Sequence, residues 1–207
     1  MAETVEVENK VLEFYRRVIF GSNYSKKDIM NCCFHQAWKT MARTLSNIKD
    51  QNQRNSIKEI LQNYLVCDSE DKSNGISEKI QNNKYEIIQY LVNQTQVINK
   101  NFTIGQCQKV VNMFFKYIYT FKEELKLDKE QFANCDCVID RTNIERLNAD
   151  IDNYNQNSFE IIEKVKITAW SKIDDETVYN DFQNKVGIIL DGQYENKLDY
   201  EFGWGRN

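Results

Sequence analysis

The stretch Val110-Val111-Asn112-Met113-Phe114-Phe115-Lys116-Tyr117-Ile118-Tyr119-Thr120-Phe121 decides the fold class. Val110, Met113, Phe114, Tyr117, Ile118 and Phe121 recur every three or four residues, the period of a helix and not the alternation of a strand. The spacing predicts a helix from Gln106 to about Leu125. The same period extends outward in both directions. Ser25 and Asp28 are spaced as a capping box, and Ile29, Met30, Cys33, Phe34, Ala37, Trp38, Met41 and Leu45 follow, which predicts a helix to about Ile48. Val5, Val11, Leu12, Tyr15, Val18 and Ile19 predict another over residues 3–20. Further helices are expected at 52–66, around Ile80, Ile87, Ile88, Leu91 and Ile98 as one element, after a cap at Thr142, at Phe159–Val165 and at Asp174–Val186. Asp68–Gly75 reads as a charged surface loop. Lys166–Trp170 is ambiguous between helix and strand, and the tail from Gly187 mixes short apolar pieces with glycines.

Composition agrees with this periodicity. The chain has 207 residues, 41% hydrophobic and 28% charged, which is ordinary globular composition. It contains no proline and 7 glycines, whereas sandwiches and barrels spend both on their many turns. The expected fold is therefore all-α: one compact multi-helix domain over residues 1–207, of one or two lobes. At most a small β element is expected, at Lys166–Trp170 or from Gly187 onward. The net charge of −4 does not advertise a nucleic-acid binder, whose footprint is usually basic. No run reaches membrane-span length and no signal-peptide pattern opens the chain, so a cytoplasmic location without membrane contact is expected. Cys32, Cys33, Cys67, Cys107, Cys135 and Cys137 are expected as free thiols, because their spacings fit neither a disulfide framework nor a zinc site. His35 is the only histidine, which rules out histidine triads and multi-histidine metal sites. Its place between Phe34 and Trp38 suggests a partly buried structural role. No phosphate-binding loop and no G-x-G-x-x-G is present. No cofactor and no metal are expected.

Two constellations carry chemistry. Lys109, Asn112 and Lys116 stand at i, i+3 and i+7, on one side of the helix, opposite its apolar face. A lysine near a helix N-terminus feels the positive end of the dipole, and burial acts in the same direction. Both favour the neutral amine that a nucleophile needs. The same spacing also fits a solvated polar face. The second constellation is Cys137-Val138-Ile139-Asp140-Arg141. Asp140 ends an apolar run just before a helix start, where it can cap the helix or stand as a carboxylate at the mouth of a cleft.

Taken together, Gly105-Gln106-Cys107-Gln108-Lys109-Val110-Val111-Asn112-Met113 and Val138-Ile139-Asp140 resemble the catalytic core of the helix–hairpin–helix DNA glycosylase/lyases, the oxoguanine glycosylases being the nearest comparison. The similarity covers about 40 residues, a short pattern, within a candidate catalytic core over 102–150. Only Gly105 stands where the family hairpin usually carries two glycines, and no proline precedes Asp140. The resemblance implies an all-α fold of two lobes and a substrate base flipped into the cleft between them. It implies Lys109 as nucleophile and Asp140 as assisting carboxylate. Gly105, Gln108, Asn112, Arg141 and Trp170 are the expected substrate-binding residues. Trp38, Phe115 and Trp204 are further candidates for sandwiching the base, and Lys116 is the second candidate nucleophile. The implied activity is excision of a damaged or modified base through a lysine Schiff base, with DNA as the partner. The alternative is a non-enzymatic helical module that binds a protein or a small ligand through an exposed apolar patch near Trp204. The two part on one geometric question, whether Lys109 and Asp140 face each other across a cleft or lie on opposite sides of the bundle.

Overall fold

The computed structural model describes residues 24–66, 73–190, 194 and 196–203. The helix expected over 3–20, Cys67 and Trp204 lie outside the described residues. The described residues form helices and no strand, so the chain is all-α. The helices are α1 (Lys26–Ala42), α2 (Gln51–Leu65), α3 (Ser73–Gln81), α4 (Lys84–Gln96), α5 (Ile104–Thr120), α6 (Lys122–Leu125), α7 (Arg141–Asn157), α8 (Glu176–Leu190) and α9 (Lys197–Phe202). Short 3-10 turns stand at Leu45–Asn47, Lys129–Asn134 and Trp170–Lys172. No helix among the described residues is long and apolar enough to cross a membrane.

Local chemistry sets the helix starts. Ser25 Oγ accepts the Asp28 amide at 3.2 Å while Asp28 takes the Ser25 amide at 2.8 Å, so the expected capping box opens α1. Thr103 and Gln106 make the same reciprocal pair at the start of α5. Helix α5 is the axis of the core, with α1 and α4 packed along it. Val110, Val111, Phe114, Phe115 and Ile118 are buried, and so are Lys109 and Asn112 on the opposite side. A helix buried all round runs through the middle of a fold, not over its surface.

The helix expected around Ile80–Ile98 is two elements. Asn83 caps α4 through the Tyr85 amide at 2.9 Å. Lys84 turns back and donates to three carbonyls at the end of α3: Lys79 at 3.0 Å, Ile80 at 2.6 Å and Asn82 at 2.6 Å. These are carbonyls that a helix C-terminus otherwise leaves unpaired. Lys84 is buried, and burial pushes its pKa down. Lys84→Met strands those acceptors, and a loss of about 2–4 kcal/mol is expected in urea unfolding. Unchanged stability would show that the carbonyls find other partners.

The segment expected to be helical at Phe159–Val165 is not. It folds back along α7 and is held there by two side-chain amides. Asn155 donates to the Ile162 carbonyl at 2.9 Å and accepts the Ile162 amide at 2.8 Å. Asn148 does the same for Val165, at 3.1 and 2.7 Å. Seven helical residues rise about 10.5 Å, and three residues of extended chain span about 10 Å. Asn148 and Asn155 therefore meet residues three apart on a chain running the other way. Ile162 and Val165 bury their side chains beneath this strap.

Other boundaries also move. The helix after Asp140 has 17 residues and is capped by Asp140 instead of Thr142. Gly187–Leu190 completes α8, and residues 73–75, expected in a loop, begin α3. His35, expected to be partly buried, is exposed on α1.

Candidate functional site

The site begins in the first turn of α5. A Cβ on Gly105 would lie 1.9 Å from the Trp170 carbonyl oxygen, so only glycine lets that backbone approach. The Gly105 amide donates to the Ile173 carbonyl at 2.8 Å, and Thr103 Oγ1 donates to the Ser171 carbonyl at 2.8 Å. These contacts seat the Trp170–Lys172 turn on α5 and set the Trp170 ring 5.7 Å from Lys109 Nζ. Gly105 thus differs from the hairpin glycine of the resemblance. It stands inside α5 beneath a neighbouring turn, where it cannot meet a substrate backbone.

Opposite α5 runs Cys135-Asp136-Cys137-Val138-Ile139-Asp140, without helix or ladder, with Cys135, Cys137, Val138 and Ile139 fully buried. Buried backbone amides and carbonyls need partners, and here side-chain amides supply them. Gln108 donates to the Ile139 carbonyl at 2.7 Å and accepts the Ile139 amide at 3.1 Å. Gln183 on α8 grips Cys137 in the same way, at 2.7 and 3.0 Å. Asn143 donates to the Val138 carbonyl at 2.7 Å, and Asn112 to the Cys137 carbonyl at 3.4 Å. Gln108 and Asn112, expected to touch substrate, are instead buried and build the wall that carries Asp140. Gln108→Leu keeps the bulk but orphans the Ile139 amide and carbonyl, and a cost of about 2–4 kcal/mol is expected in chemical denaturation. A neutral result would mean that the run is held by other contacts.

The wall ends at Asp140. Its Oδ1 accepts the Asn143 amide at 2.9 Å, capping α7, and its Oδ2 takes Lys109 Nζ at 2.6 Å. The two residues stand 31 apart in sequence. The Lys109 side chain is 9% exposed and that of Asp140 25%, so the pair is nearly dry on the lysine side and open to solvent on the other. One oxygen of Asp140 caps a helix, as the first of its two readings expects, and the other holds a lysine. The alternative of a solvated face for Lys109, Asn112 and Lys116 is overturned. Lys109 and Asn112 are buried, and Lys116 pairs with buried Glu201 of α9 at 3.3 Å.

The other expected residues divide. Trp170 lies over Lys109 as a partly buried aromatic. Arg141, although next to Asp140, is exposed and pairs with Glu145 at 2.7 Å, so it does not join the pair. Phe115 is core, with Lys84 Nζ 4.8 Å from its ring centre. Trp38 packs against the core from α1. Asn143, Gln183 and Glu201 belong to the site and had been missed. Only Asn143, three residues beyond the cap, left a trace in the sequence.

Neither Cys135 nor Cys137 supplies a nucleophile. Burial pushes Cys135 up to about 12 and Cys137 well above the ordinary thiol value, which keeps both protonated near neutral pH. Among the described residues no group of three or more His, Cys, Asp or Glu is arranged to hold a metal. What the site can offer is a lysine, a carboxylate that accepts its hydrogen bond at 2.6 Å, and an aromatic face beside them. No protein-family model matches the chain, and neither a curated protein nor a solved structure matches it.

Proposed function

We propose that this chain is a cytoplasmic, lysine-dependent DNA base glycosylase/lyase, with Lys109 as nucleophile and Asp140 as the assisting carboxylate. One observation carries the reading. Lys109 Nζ and Asp140 Oδ2 lie 2.6 Å apart under the Trp170 ring, although they come from separate elements. A base must leave the duplex stack before its glycosidic bond can be reached, and a flipped base needs an aromatic face such as Trp170 to lie against.

The chemistry follows from the pair. Lys109 passes a proton to Asp140 along their hydrogen bond and becomes neutral. Its lone pair attacks C1′ of the nucleotide, and the C1′–base bond breaks with its electron pair leaving on the base. The base takes up a proton from Asp140 or from water. While the carboxylate is charged, it also stabilises positive charge developing on the sugar. The bonded nitrogen then carries two protons and a positive charge. It gives one to Asp140 or to water, and its lone pair forms C=N as the C1′–O4′ bond breaks and O4′ takes up a proton, which leaves a protonated Schiff base on Lys109. Loss of a C2′ proton to the Asp140 carboxylate or to water, with its electron pair expelling the 3′-phosphate, then cleaves the strand.

The test is borohydride reduction during incubation with duplexes carrying uracil, oxidised or alkylated bases. Reduction of the C=N bond should leave a covalent protein–DNA product on at least one of them. Protein that retains no DNA at moderate salt and traps none of the panel is not a glycosylase/lyase. One observation favours the second reading, a helical module for a protein partner: Phe159 is fully exposed and Ile161 is 71% exposed, side by side on the strap. That reading takes over if trapping fails.

A further inference from the structure

The short helix α9 is tied to the rest of the molecule by polar contacts from four of its residues, each to a different place. Lys197 pairs with Asp136 at 2.6 Å. Asp199 accepts from Tyr119 of α5 at 2.6 Å and pairs with Lys129 at 3.1 Å. The Tyr200 carbonyl takes Arg146 of α7 at 2.6 Å, and its hydroxyl donates to Asp150 at 2.5 Å. Glu201 Oε1 takes Lys116 of α5 at 3.3 Å and the Asn143 side-chain amide of α7 at 2.8 Å. The elements so joined are α5, α7, the Lys129–Asn134 turn and the run 135–140; α5 carries Lys109, and the run ends at Asp140, the cap of α7. Glu201 is buried. Its carboxyl is pushed up by burial and pulled back by Lys116 and Asn143, so it is a buried acid held in place by its partners.

Asn143 joins this contact to the site. Its side chain donates to Glu201 at 2.8 Å and to the Val138 carbonyl at 2.7 Å, while its own amide donates to Asp140 Oδ1 at 2.9 Å. We propose that Glu201 is a positioning residue for the Lys109–Asp140 pair: by fixing Asn143 it fixes the first turn of α7, and with it the direction in which Asp140 holds Lys109. Helix α9 is the clasp that brings Glu201 to this position. The functional meaning rests on Lys109 and Asp140 being the reacting pair, but the structural test does not.

The experiment is reductive methylation of the intact chain with formaldehyde and dimethylamine-borane under native conditions, read lysine by lysine by peptide mass spectrometry. In the wild type Lys109 should react slowly. Glu201→Ala removes a hydrogen bond to a charged group, so Lys109 should react on the order of tenfold faster or more. Lys84, also buried but held by carbonyls at the end of α3, is the internal control and should not change. Glu201→Gln keeps an acceptor for Asn143 and should restore most of the protection. If Glu201→Ala does not fold, Asn143→Ala takes its place, with the same expectation for both lysines. An unchanged Lys109 overturns the proposal. So does Lys84 rising in step with Lys109, because that is general loosening and not positioning. Where trapping is present, Glu201→Ala should lower kcat with KM nearly unchanged. A wild type that traps nothing overturns the glycosylase reading while the labelling result stands.

Discussion

Lys109→Gln is expected to abolish borohydride trapping, by about three orders of magnitude or more, because no other group replaces a missing nucleophile. The variant should still fold. Glutamine can keep a hydrogen bond to Asp140 Oδ2 but loses the charge, at a cost of about 2 kcal/mol. Asp140→Asn separates the two roles of that residue. Asparagine is a good helix cap, so α7 should persist, while base excision slows about a hundredfold for want of the negative charge. Lys116→Gln should leave trapping in place, since Lys116 is engaged with Glu201 further along α5. If Lys116→Gln alone removed trapping, the nucleophile would be Lys116, two turns from the position assigned. Gel detection of the reduced protein–DNA product decides among these outcomes.

Gly105→Ala is expected to cost about 3 kcal/mol or more and to remove trapping as well, since overpacking against backbone is among the costlier small-to-large changes. The new methyl would lie 1.9 Å from the Trp170 carbonyl oxygen and 3.2 Å from the Ile173 amide nitrogen. Neither atom belongs to a flexible side chain that could swing aside. The Trp170–Lys172 turn must lift from α5, breaking the Gly105–Ile173 hydrogen bond and moving the indole off Lys109. Urea unfolding and trapping, measured on the same preparation, check the two effects. An alanine variant as stable as the wild type would show that the turn is not seated on this glycine.

The all-α class was legible because zero proline and a helical period in almost every apolar run point the same way. The capping box at Ser25 and the core face of α5 were legible for the same reason, being local. The strap at 158–168 was not, since its apolar residues suit a helix as well. What prevents one is Asn148 and Asn155, which lie on a preceding helix and reveal their role only when the chain turns back. The burial of Lys109 and Asn112 was illegible in a similar way. A polar stripe on an amphipathic helix reads as a wet surface unless one knows that Asp140 and the backbone of 135–140 lie against it. The pairing of Lys109 with Asp140 was the part of the site that the resemblance pointed to. The wall of amides behind it had no local signature at Gln108 and Gln183, because a glutamine that serves backbone looks like any other glutamine. Gly105 reads in the sequence as a hairpin residue, whereas its role is close approach to the turn at Trp170, far along the chain.

The match between α7 and its returning strap sets which insertions and deletions this part of the chain can accept. One residue added between Asn148 and Asn155 would rotate the second asparagine by about 100° around the helix, off the strap altogether. A change of length there is tolerable only as a unit: two full turns in the helix together with three residues in the strap. A diverged relative could therefore be recognised without close sequence similarity, by asparagines seven apart on a helix followed by two apolar residues three apart. It would lengthen or shorten in those paired steps and in no others.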